Sequence, residues 1–92
     1  MEDIKEVCQK AIDKYGKTAQ MDMVIEECAE LIQAVSKNKR GRDNRNNIVE
    51  EIADVELMIE QLKLMFDISE QEVGYWKHCK LQRLLPKMET SL

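Results

Sequence analysis

An all-α fold, a single subunit of the four-helix-bundle type, is predicted by three features of this chain. Apolar residues recur at three- and four-residue steps in four separate segments, the pattern of helices with one buried face. No stretch alternates apolar and polar residues over a useful strand length. Helix punctuation divides the segments: Gly16, a polar link from Ser36 to about Asn46, Ser69 with Glu72, and Pro86.

Helix one is expected from about Glu2 to Tyr15, with Ile4, Val7, Cys8, Ala11, Ile12 and Tyr15 on one side, and Gly16 ends it. Thr18 is the expected cap of helix two, which runs to about Lys37 with a stripe of Met21, Val24, Cys28, Leu31, Ile32 and Val35. The basic link that follows contains Gly41 and reads as a loop or a frayed helix end. Helix three, from Asn44 to about Phe66, is the greasiest. Ile48, Ile52, Val55, Ile59, Leu62 and Phe66 share one face, and Val49, Ala53, Leu57, Met58, Leu64 and Met65 widen it. A helix apolar over so much of its circumference needs several neighbours, and one of them is expected to be another subunit.

Helix four has the clearest start. Ser69 and Glu72 fit a capping box, and Ile68 with Val73 fits a hydrophobic staple. Pro86 is expected to stop it after Leu85, leaving a disordered tail from about residue 87. No internal boundary or repeat interrupts residues 1–92, so one domain is expected.

The chain has 92 residues, 43% hydrophobic and 35% charged, with a formal net charge of −4. That balance argues against a general nucleic-acid binder. Cys8, Cys28 and Cys79 are odd in number and show no CxxC step, which suits reduced thiols in the cytoplasm better than a disulfide framework or a zinc site. No segment has the length and apolarity of a membrane span, and the start lacks the features of a signal peptide.

Chemistry is concentrated in two runs, EECAEL with Glu26, Glu27 and Glu30, and EEIADVE with Glu50, Glu51 and Asp54. Carboxylates three or four residues apart share a helix face and repel. Acids on helices are most often solvated, and Glu50 and Glu51 suit the first turn of helix three. Here, however, the step occurs on two successive helices beside stripes meant for burial. The acids also lack a compensating Lys or Arg four residues on. If the two helices pack antiparallel, Glu27, Glu30, Glu51 and Asp54 converge, and a hard cation such as Mg²⁺, with Mn²⁺ as a substitute, suits such oxygens. Spacing alone leaves the solvated and the metal-binding readings open.

The runs EECAELIQA and IVEEIADVELMIEQL, joined by a basic linker, closely resemble the MazG-like all-helical nucleoside triphosphate pyrophosphohydrolases. The family mark is ExxE on one helix and ExxD on the next, matched here by Glu27, Glu30, Glu51 and Asp54. The likeness extends from about Ala11 to Leu85. It implies a four-helix bundle whose four acids hold one or more Mg²⁺ ions. It further implies cleavage of a nucleoside triphosphate between its α and β phosphates, and assembly as a dimer or tetramer with shared pockets. All four motif acids are present, and residues 1–92 hold one copy of the motif pair, so the doubled domain of longer members is not expected here.

Further candidates follow from what such a substrate needs. A general base is expected among the acids, with Glu27 or Glu30 preferred. Phosphates call for cations: Lys80 and Arg83 first, then Lys77, and Arg45 from the linker, each otherwise a solvated surface charge. Trp76 and Tyr75 can stack on a base, although a Trp at helical spacing more often fills a core. Gln20 can read a base or ribose edge. Asn38, Asn44, Asn46 and Asn47 read as loop and cap material, and His78 as peripheral. Two competing functions remain: a non-enzymatic helical module that dimerises or binds a partner, and a phosphohydrolase acting on another nucleotide.

Overall fold

The computed structural model describes residues 3–90. Four helices follow in order: α1 (Ile4–Tyr15), α2 (Lys17–Lys39), α3 (Arg45–Met65) and α4 (Glu70–Thr90). The start expected at Glu2 lies outside the described residues. Helix α1 opens instead on Asp3, whose carboxylate accepts the Lys5 N–H at 2.9 Å. Gly16 both ends α1, donating to the Ile12 carbonyl, and opens α2 at φ 93° and ψ 155°. That backbone conformation is essentially reserved for glycine. Thr18 therefore lies inside the first turn of α2 and caps nothing.

The link expected over ten residues is much shorter. Helix α2 continues to Lys39, and only residues 40–44 separate it from α3, with Gly41 at φ 101° making the reversal. Helices α2 and α3 form an antiparallel hairpin, and α1 packs across both. Asp67 (φ 52°) turns the chain out of α3, where the Ile68 N–H bonds back to the Lys63 carbonyl at 2.9 Å, the long bond of a Schellman ending. The capping box forms as expected: Ser69 N–H donates to Glu72 Oε2 at 2.8 Å, and Glu72 N–H to Ser69 Oγ at 3.1 Å. Pro86 does not stop α4, which continues through it to Thr90. Proline there forfeits one backbone bond, to the Gln82 carbonyl, within the last turns of the helix.

Helix α4 runs alongside none of the other three. The radius of gyration is 16.5 Å, against about 12 Å for a compact chain of this length. Among the described residues, only Cys8 and Ala34 are buried apolar side chains, whereas twenty large hydrophobic ones are exposed.

The hairpin also rotates the expected stripe. Val24, Cys28 and Leu31 are at least partly covered, but Met21, Ile32 and Val35 face outward, Ile32 at 68% exposure. The seam is rotated by about one residue toward Gln20, Glu27 and Ala34. On α3 it follows Ile48, Glu51, Val55, Met58 and Leu62, leaving Val49, Ile52 and Ile59 outside. The rotation carries acids inward.

Candidate metal centre

Glu27 and Glu30 lie on α2, one turn apart, and Glu51 and Asp54 lie likewise on α3. The antiparallel crossing sets Glu27 against Asp54 and Glu30 against Glu51. One carboxylate oxygen from each can be chosen so that all four lie within 4.8 Å of one another. Glu27 and Glu51 are partly covered, and their Oε2 atoms are shut away from solvent with no hydrogen-bond partner. Glu30 and Asp54 remain exposed.

Electrostatics agree with this geometry. Burial, then the charges of Glu30 and Asp54, hold the Glu27 carboxyl above its ordinary value. The same causes in the same order raise Glu51, with the closeness of the Glu30 carboxyl and the charge of Glu50 adding to them. An acid raised by burial and like charges binds a proton more readily, and a divalent cation for the same reason. The donor set is all carboxylate oxygen, the chemistry of Mg²⁺ or Mn²⁺ rather than of a thiolate-loving metal.

A family comparison can now be read on this geometry. The model of the MazG nucleotide pyrophosphohydrolase domain matches residues 16–89, from the glycine that opens α2 nearly to the end of α4. The chain belongs to the MazG family. Neither the curated proteins nor the solved structures offer a significant match. Membership of the MazG family makes this chain a nucleotide pyrophosphohydrolase in the general sense. The family's hydrolases are generally dependent on divalent metal, and the acid cluster is suited to bind one. No described helix is long and apolar enough to cross a membrane.

The other candidates fall elsewhere. Lys77, Lys80 and Arg83 lie on α4, away from the hairpin seam. Lys77 shares a cleft of about 510 Å³ with Ile4, Ala53, Glu56 and Glu60, on the face of α3 turned away from Glu51 and Asp54. None of the four acids lines that cleft, so donor chemistry rather than cavity size marks the centre. Lys80 flanks Trp76, which is 54% exposed and meets Tyr75 edge-on at 5.5 Å between ring centroids. Arg45 opens α3, six residues before Glu51 and about 9 Å from it along the axis. Gln20 is 6% exposed, and its side-chain amide is bonded to Gln61.

Asn44 and Asn47, read from the sequence as loop and cap material, and Gln61, given no role there, make contacts along the same seam. Asn47 Nδ2 points at Glu51 Oε1 at 3.5 Å, a long contact that orients the carboxylate. Asn44 Nδ2 donates to the Ala34 carbonyl at 2.9 Å, while its Oδ1 is buried without a partner. Gln61 is the partner of Gln20. The available signal was spacing: Gln20 and Glu27 on α2, then Asn47, Asp54 and Gln61 on α3, recur every seven residues.

Proposed function

We propose that this chain hydrolyses a nucleoside triphosphate between the α and β phosphates, releasing the nucleoside monophosphate and pyrophosphate, in a Mg²⁺-dependent reaction in the cytoplasm. The observation that carries this reading is the pair of orphaned oxygens, Glu27 Oε2 and Glu51 Oε2, inside a cluster of four acids. Buried unpaired carboxylate oxygens are costly unless a cation satisfies them. Glu27, Glu30, Glu51 and Asp54 are the proposed ligands, open on the exposed side of Glu30 and Asp54 toward a triphosphate.

When bound, the cation neutralises phosphate charge and lowers the pKa of water. The chain supplies the rest. Glu27, whose carboxyl has a raised affinity for protons in the metal-free chain, accepts the proton of the attacking water at whichever of its oxygens does not hold the cation. Asn47 steadies Glu51 during the charge change. Arg45 sits near enough along α3 to pair with a phosphate.

Lys77, Lys80 and Arg83 complete the phosphate contacts from α4 of a second copy of the chain, and Trp76 with Tyr75 provides the apolar platform for the base. This arrangement gives the exposed apolar faces of α2, α3 and α4 a common explanation as subunit contacts in a homo-oligomer. A purely binding module would account for those faces but not for the inward acids.

The test is a panel of canonical and modified nucleoside triphosphates with Mg²⁺, separating the products. Monophosphate with pyrophosphate is expected. Diphosphate with inorganic phosphate, or turnover undiminished by a chelator, would overturn the reading.

A further inference from the structure

The most deeply buried polar side chains among the described residues are not acids. Gln20 and Gln61 are 6% and 5% exposed, and Gln20 Nε2 donates to Gln61 Oε1 at 2.7 Å across the hairpin. Each lies seven residues from a member of the acid cluster: Gln20 before Glu27 on α2, Gln61 after Asp54 on α3. Seven residues are two turns less about 20°, so both amides project from the same seam as the acids. On the far side, Asn44 Nδ2 bonds the carbonyl of Ala34, itself seven residues beyond Glu27. Neutral amide contacts thus bracket the carboxylates, about 10 Å away along the axis in each direction.

We propose that Gln20 and Gln61 are positioning residues, a neutral register key that fixes α2 axially against α3 and so keeps the four carboxylates opposite one another. This rests on the metal-binding reading above and adds to it how the site is kept assembled. Four like charges push their helices apart or past one another. The partly covered apolar side chains along the seam, Val24, Leu31, Val55 and Met58, resist weakly because such contacts have no direction. The amide bond does have direction: a slip of one turn leaves two buried amides unpaired, which makes slipped registers unfavourable. A single buried Asn selects register in coiled coils for the same reason. Being uncharged, the pair adds nothing to the negative surplus of the cluster.

The experiment compares Mn²⁺ affinity, circular dichroism and crystal structure for the full-length wild type, Q20M/Q61M and Q61E. Methionine matches glutamine in length and lack of branching, so the double variant removes both amides together and is expected to melt within a few degrees of wild type. Its Mn²⁺ affinity should nevertheless fall about tenfold or more, as when supports of metal ligands are lost, with α2 slipped or in several registers. In Q61E the acceptor stays opposite Gln20, and affinity should remain within about threefold of wild type. A role in packing alone predicts the reverse order, with the double variant harmless and Q61E damaging, and that result overturns the proposal. If Q20M/Q61M does not fold, Q61N, which withdraws the acceptor by one methylene, must lose affinity in the same way; full affinity in Q61N overturns it. Should wild type take up no Mn²⁺, the metal reading fails by itself. The register assignment is then decided by the variant's crystal structure, where an unchanged α2–α3 register overturns it.

Discussion

Each helix of the α2–α3 hairpin is similar in length to α4, but hairpin and α4 are opposite in how they are held. The hairpin closes on amides and carboxylates, with the Gln20–Gln61 bond at one end, Asn44 on Ala34 at the other, and four acids between. Helix α4 is tied in near its first turn, where Lys63 Nζ meets Glu70 at 2.7 Å, while Trp76, Leu81, Leu84 and Leu85 stand exposed. The hairpin hides charge and shows grease. In the function proposed above, that difference separates two tasks: the acid cluster lies within one chain, whereas the surfaces proposed to hold base and phosphates are left for a second copy to complete.

The largest effect should come from the hairpin. Glu51→Gln or Asp54→Asn should lower kcat/KM by more than about a hundredfold, since even outer supports of a metal ligand are worth about 10- to 100-fold. Circular dichroism should be unchanged and the metal-free melting point equal or higher, because a repelling charge has gone. Full activity in either variant would break the assignment of the site. Next comes α4: Leu81→Glu or Trp76→Ala should weaken self-association by about 30-fold, the scale of one interface hot spot, read by analytical ultracentrifugation. Mn²⁺ uptake per chain should survive. Equal loss of metal binding would erase the proposed division of labour.

Acidification should separate the two regions by sign. Glu27 and Glu51 titrate above their ordinary value of 4.5 in the folded chain. Between that value and the raised one the folded state binds more protons than the unfolded state, so their contribution to stability falls as pH rises through the window. Metal-free protein should therefore gain from these two groups on going from neutral pH toward pH 5. Mg²⁺ at neutral pH should give the same relief, and Glu27→Gln/Glu51→Gln should flatten the slope. Glu70, lowered by its bond to Lys63, and Glu72, lowered by its bonds to Ser69, behave oppositely. Their contribution is present above the ordinary value and lost as pH falls through the depressed one. Thermal melts in chelator across pH 7 to 3 would display both slopes. The smallest effect is local: Ser69→Ala should cost about 1 kcal/mol by removing the cap of α4, a shift of roughly 4–8 °C at this chain length.

Much of the fold was legible because helix signals are local. The four segments, the Gly16 break and the Ser69–Glu72 box needed only neighbouring residues. Thr18 and Pro86 misled because capping preference and proline avoidance are tendencies that the surrounding backbone outweighs: glycine conformation set the start of α2, and one lost backbone bond did not end α4. The convergence of the acids was readable from their doubled spacing and their inward turn from their place beside the apolar stripes; which two would be covered, Glu27 and Glu51, was not. Of the stripe drawn through Met21, Val24, Cys28, Leu31, Ile32 and Val35, the middle members Val24, Cys28 and Leu31 are covered, while Met21, Ile32 and Val35 are turned outward. Gln20 was noticed as polar and free to read a ligand, but its partner lay forty-one residues away, and only the register of two helices could bring them together.

If layers recurring every seven residues determine what meets what, as proposed above, the bend at Gly41 makes the reversal without choosing the pairing. Extra residues spliced there should leave catalysis untouched. Deleting a single residue between Gln20 and Glu27 would swing one away from the other by about 100° around the rod. For this chain, tolerance to length change should depend on where the change falls, with the tip forgiving and each shaft unforgiving to the loss of one amino acid.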